Sequence, residues 1–147
     1  MKIEVRSTPF APWELLQTYE REMLGGAAGR YGATAVFVGT MRDFNEGDTV
    51  RGMSLEHYPG MTERQLEKLL ADAIERWSLD DALVIHRVGD LDPADPIVLV
   101  AVWSAHRKEA FEACRHIMEE LKSTVPFWKK ERLAEGTRWV EKNRPGY

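Results

Sequence analysis

The chain has 147 residues, 44% hydrophobic and 30% charged, which suits one soluble domain spanning 1–147 around one core. Its net charge of −4, with 24 Asp and Glu against 20 Lys and Arg, argues against a broad nucleic-acid surface. No apolar run approaches a membrane span, the N-terminus turns polar too soon for a signal peptide, and the single Cys114 allows no intrachain disulfide, so a cytoplasmic protein is expected.

In chain order, "IEVRS" reads as a first strand, and "PWELLQTYEREM" as a short helix with Pro12 in its first turn. "GGAAGRYGA" is a glycine-rich connection. It carries no G-K-[ST] and precedes a strand, so it is neither a phosphate loop nor a dinucleotide fingerprint. "ATAVFVGTM" is a strongly β-forming run, "RDFNEGD" a polar loop, and "TVRGMSLEHY" a further strand, so the loop is expected to close a hairpin.

"PGMTERQLEKLLADAIERW" is the clearest helix. Thr62 and Gln65 suggest a capping box, and Leu66, Leu69, Leu70, Ala73, Ile74 and Trp77 form a core-facing stripe. "DALVIHRVGD" reads as a strand ending in a turn, and "PIVLVAVWSA" as a long, central strand. "HRKEAFEACRHIMEELK" is another helix, with Ser104 as candidate cap and Ala110, Phe111, Cys114, Ile117, Met118 and Leu121 inward. Pro126 ends it, and "RWVE" reads as a last short strand. Together these elements predict an α+β domain with a mainly antiparallel or mixed sheet and packed helices.

The basic residues are uneven. Arg107, Lys108, Arg115, Lys122, Lys129, Lys130 and Arg132 crowd one segment of an acidic chain, which suggests a small anionic ligand or an acidic peptide. In "SAHRKEAF", His106 and Arg107 occupy the start of a helix, where unpaired N–H groups and the dipole already favour an anion. The alternative is a simple ion pair of Arg107 with Glu109 or another carboxylate. Arg42 follows a buried strand, where a rigid base can present a loop arginine. His86 and Arg87 alternate on a predicted strand, so one should face inward, in a structural role.

In "LKSTVPFWKKE", Lys122 lies at a helix end, a place the dipole alone justifies. Lys129 and Lys130 follow Phe127 and Trp128, which should bury and pin the segment. Pinned lysines near other cations lose proton affinity, which suits acid–base or amine chemistry. The four histidines lack the spacing of a helical zinc motif, and Cys114 falls on the core stripe, so neither a metal nor a catalytic thiol is expected.

The strings "FVGTMR", "LEHYPGMTE", "VIHRVG", "SAHRKEAFEA", "LKSTVPFWKKE" and "RWVE", in this order over residues 33–141, resemble the large, catalytic subunit family of molybdopterin synthase. The resemblance implies a hammerhead-type α/β subdomain within the α+β fold. It implies sulfur transfer to cyclic pyranopterin monophosphate, forming the dithiolene of molybdopterin in molybdenum cofactor biosynthesis. The sulfur donor would be the C-terminal Gly-Gly thiocarboxylate of a small ubiquitin-like subunit, and the large subunit would form the homodimer core of a heterotetramer. No cofactor is implied. Position by position, Lys122 and Lys129 match the catalytic lysines. Arg42, His106 and Arg107 match substrate-binding residues, and Phe37 and Met118 match apolar pocket residues. The family also draws a basic residue from a neighbouring subunit's C-terminal segment, for which Lys142 and Arg144 are the candidates here. A non-catalytic adaptor that captures an acidic or C-terminal peptide is the competing reading. It needs the cations but not both lysines.

Overall fold

The computed structural model describes residues 1–45, 47–133 and 136–140. Lys142 and Arg144 lie outside them. The described elements are β1 (Lys2–Arg6), α1 (Pro12–Met23), β2 (Ala33–Thr40), β3 (Phe44–Asn45), β4 (Asp48–His57), α2 (Met61–Trp77), β5 (Asp81–Arg87), β6 (Gly89–Leu91), β7 (Pro96–Ser104), α3 (Arg107–Ser123), β8 (Phe127–Leu133) and β9 (Gly136–Trp139). The α+β class expected from the sequence holds.

Two sheets organise the chain. The first has the order β1-β5-β7-β2, with β1 parallel to β5 and the other pairs antiparallel. β7 is central, as its apolar run predicts. Side chains alternate across a strand. Ala82, Val84, Val98, Val100 and Val102 therefore pack under Leu66 and Leu70 of α2 and Ile117 and Leu121 of α3. Leu83, Ile85, Leu99, Ala101 and Trp103 pack on the other face, against Leu16 and Tyr19 of α1. Both faces are covered, so both His86 and Arg87 are buried, at 5% and 6% exposure, where the sequence pattern predicted one.

The second sheet is built on β4. β3 and β6 pair with one edge, β8 with the other, and β9 with β8. The predicted hairpin between β2 and β4 does not form, because the two strands belong to different sheets. β2 pairs with β7, while the polar loop carries its own two-residue strand β3, which forms the hairpin with β4. Met41 anchors the crossover between sheets: it is 5% exposed and exchanges backbone hydrogen bonds with Ala94 and Asp95.

The helix ends differ from the sequence pattern in their chemistry. Gly60 caps α2 at φ 86°, a left-handed conformation that glycine adopts without a Cβ penalty. The Glu63 carboxylate accepts from the Gly60 N–H, so Thr62 and Gln65 form no capping box. Ser104 stays at the end of β7 and donates to the His106 carbonyl at 2.6 Å, leaving His106 as the cap residue of α3. Phe111 faces out at 69% exposure, and Ala113 takes a buried place on the stripe instead.

Candidate active site

The site forms where the two sheets meet the end of α3. Lys122 projects from the last turn of α3, and the chain then turns through Thr124, Val125 and Pro126 into β8. Val125 is buried and fixes the turn from within. Thr62, fully buried at the start of α2, donates its hydroxyl to the Pro126 carbonyl at 3.1 Å and accepts the Tyr58 N–H at 3.0 Å. One hydroxyl thus ties β4's end, α2's first turn and the segment between the two lysines.

On β8, period-two alternation sends Phe127, Lys129 and Glu131 to one face, opposite His57, Leu55 and Met53 of β4. Trp128 goes to the other side and stays 49% exposed, contrary to the expectation that both aromatics bury. Phe127 does bury in part, with its ring flat on His86 at a centroid separation of 3.8 Å.

These residues enclose a cavity of about 540 Å³, lined among others by Phe37, Arg42, His86, Lys122, Lys129 and Glu131. A second, more apolar hollow of about 460 Å³ runs between β2 and α3, lined by Phe37, Phe111, Cys114, Met118 and Lys122 among others. Phe37 and Lys122 line both, so Lys122 stands where the two spaces adjoin.

The electrostatics follow from enclosure. Lys122 is exposed by surface area, yet the protein around the junction of the two hollows partly buries its ammonium. That burial pushes its ammonium down from 10.5 to about 8, with Lys129 and Arg42 adding repulsion and Glu119 opposing it. Lys129 is also lowered by burial. Glu131 opposes that shift and Arg42 adds to it. Glu131 is itself buried at 6% and accepts from Arg138 Nε at 2.9 Å and from Asn45 Nδ2 at 3.2 Å. It anchors the β3 loop to β8 and β9. Arg138 also donates to the Asn45 carbonyl at 2.9 Å.

Of the sequence candidates, Lys122, Lys129, Arg42 and Phe37 converge on the larger cavity, and Met118 lines the adjoining hollow. His106 and Arg107 do not join them within one chain. They sit at the opposite end of α3, about 22 Å from Lys122 at 1.5 Å of rise per residue. Among the described residues Arg107 has no ion pair with Glu109 or any other carboxylate. Sequence reasoning placed His86 in a structural role, yet it lines the cavity, as does Glu131. The i, i+2 spacing of Lys129 and Glu131 on a strand was the available signal. Cys114 lies on the apolar hollow with its thiol pushed up to about 11 by burial, so it stays protonated and inert. Among the described residues no cluster of three His, Cys, Asp or Glu side chains is arranged to hold a metal ion.

The sequence profile of the family described as "MoaE protein" matches residues 6–124. The chain belongs to this family. It is 49% identical over 141 residues to the molybdopterin synthase catalytic subunit of Pseudomonas aeruginosa, covering 96% of this chain and 91% of that one. It is 62% identical over 110 residues to the molybdopterin synthase catalytic subunit of Ralstonia nicotianae, a match covering 75% of this chain but only 62% of that protein's length. The crystal structure of molybdopterin synthase from Staphylococcus aureus superposes with a TM-score of 0.83 at 31% identity, over 97% of this chain and 99% of that one. No described helix is long and apolar enough to cross a membrane.

Proposed function

We propose that this chain is the catalytic subunit of a molybdopterin synthase, transferring sulfur from the C-terminal thiocarboxylate of a small ubiquitin-like subunit to cyclic pyranopterin monophosphate. The observation that carries this is the convergence of Lys122, from α3, and Lys129, from β8, on one cavity beside Arg42. Both reactants are anionic, and a cavity holding three cationic side chains can bring them together while the rest of the protein stays acidic.

The two hollows divide the work. The apolar one, walled by Phe37, Phe111 and Met118, takes the extended tail of the small subunit and delivers its terminal carbonyl carbon to Lys122. The larger one takes the pterin, with Arg42 and Lys129 toward its phosphate. Arg42 suits that group through its planar fork of donors. The thiocarboxylate sulfur bonds to the pterin carbon as oxygen departs from it. Water then cleaves the resulting thioester and leaves the tail as a carboxylate and the sulfur on the pterin. An ammonium at Lys122 can supply a proton to the departing oxygen and hold the released carboxylate.

His106 and Arg107 take part only if a second copy supplies them, since their own α3 holds them about 22 Å from Lys122. We therefore place the chain in a homodimer, with a small subunit at each outer end, as one domain acting in the cytoplasm.

The test is reconstitution. The purified protein is mixed with thiocarboxylated small subunit and cyclic pyranopterin monophosphate, and dithiolene product is assayed as its fluorescent oxidised pterin. Product in the wild type and none with Lys122→Ala supports the proposal. Tight small-subunit binding without product would make the protein an adaptor instead.

A further inference from the structure

We propose that His86 is a specificity-determining residue, whose Nε2 accepts a hydrogen bond from a ring N–H of the pterin in the lysine-lined cavity. The proposal rests on the reading of that cavity as the pterin site.

His86 occupies the C-terminal part of β5 and is 5% exposed. Its ring is held on two sides. Phe127 stacks on it with an interplanar angle of 13°, and its Nδ1 lies 2.8 Å from the Arg87 carbonyl. A carbonyl can only accept, so Nδ1 carries the hydrogen and Nε2 keeps a lone pair. Among the described residues Nε2 has no hydrogen-bond partner, yet it is not one of the sealed, unsatisfied buried atoms. It therefore opens on the cavity that His86 lines.

The surroundings keep this ring neutral. Burial favours the uncharged imidazole, and Lys122, Lys129 and His57 add to that effect against the pull of the Arg87 carbonyl. A neutral, fixed acceptor is otherwise scarce here. Arg42, Lys122 and Lys129 can only donate while charged. Both Glu131 oxygens accept from Asn45, and Oε1 also accepts from Arg138. Thr40 is exposed and Asn45 half-buried, so water competes for their oxygens. Cyclic pyranopterin monophosphate presents N–H groups on its rings as well as a phosphate. The cations satisfy the phosphate, and His86 is the buried group suited to the N–H edge. A site built to meet a ligand donor discriminates against molecules that lack it.

The experiment compares wild type, His86→Leu and His86→Gln by calorimetric titration with cyclic pyranopterin monophosphate and, separately, with inorganic phosphate, alongside thermal melting. The glutamine amide oxygen can take the place of Nε2. The expected result is a roughly tenfold weaker pterin affinity for His86→Leu, unchanged phosphate affinity, and recovery of most of the loss in His86→Gln. Wild-type pterin affinity in His86→Leu, or equal loss of pterin and phosphate, would overturn the proposal while leaving the cavity as the pterin site. If His86→Leu does not fold, His86→Gln decides: pterin affinity within about threefold of wild type supports the acceptor role, and a tenfold loss in a folded protein refutes it. A wild type that binds phosphate but no pterin overturns both this proposal and the reading beneath it.

Discussion

The Thr62 hydroxyl donates to the Pro126 carbonyl across 64 positions of sequence, and so joins the start of α2 to the turn between the two cavity lysines. Thr62 is fully buried, and its oxygen also accepts the Tyr58 N–H. Thr62→Val preserves shape but leaves the Pro126 carbonyl and the Tyr58 N–H, both in part-buried hydrogen bonds, without this partner. The expected loss is about 2 kcal/mol of stability. Catalysis should fall further than folding requires, because Phe127 and Lys129 follow directly from the freed carbonyl. Denaturant melts and turnover measured on the folded fraction check this, while Thr62→Ser should restore both.

Lys122 sets a pH dependence whose sign can be worked out. Its ammonium titrates at about 8 in the folded chain against 10.5 for an ordinary lysine. If the charged form serves the reaction, activity falls as pH rises through about 8, and Lys122→Arg should remove that limb at reduced rate, since arginine stays charged. Lys122→Ala should lower turnover by ~100-fold or more. Stability runs the other way. A depressed lysine pKa means the unfolded chain binds more protons between pH 8 and 10.5, so the folded state gains stability as pH rises through that window. Below it the charge is a cost, reduced by solvent screening because the side chain is exposed, and Lys122→Met should melt no lower than wild type at pH 7. Melting curves across pH for the two proteins should converge above pH 8.

Much of this site was legible before the structure, and the exceptions have a common cause. The bounds of α1 and the central position of β7 follow from patterns local to each segment, whereas the pairing of Lys122 with Lys129 in one site was implied only by the family resemblance. What depends on the pairing of distant segments does not follow from local patterns. β2 and β4 look like a hairpin because they are adjacent in sequence, but their partners β7 and β8 lie far downstream. His86 and Arg87 are both buried because α1 covers the face that an isolated alternating strand would leave to water. Phe111 reads as core by its chemistry, yet it sits one position off the buried stripe and lines the hollow beside Lys122.

Glu131 links the β3 loop to the cavity floor. It is buried, holds Asn45 and Arg138, and is the acidic neighbour that opposes the loss of proton affinity at Lys129. Glu131→Gln removes the charge and keeps the shape. It should destabilise the fold by about 2 kcal/mol, the worth of a hydrogen bond to a charged partner. It should also lower the Lys129 pKa further, since burial and Arg42 then act unopposed. The check is a melt together with lysine titration by NMR on specifically labelled protein. An unchanged Lys129 titration would mean that Glu131 serves the loop alone.

The last prediction concerns the length of α3. Lys122 in its final turn and Arg107 in its first are separated by about 22 Å, too far to touch one substrate from the same chain. If both serve the reaction, each cavity combines Lys122 of one copy with Arg107 of another. Lys122→Ala and Arg107→Ala homodimers should then each be impaired. A mixed dimer of the two variants contains one cavity with both residues intact and one with neither, so mixing and reassembly should recover a quarter of wild-type activity when exchange is random. Activity is read after subunit exchange, with dimer composition followed by native mass spectrometry. Should Arg107→Ala be fully active alone, the residue lies outside the reaction. Impairment without any complementation would instead place the effect of Arg107 within its own chain, acting on the fold of α3 and not on the substrate.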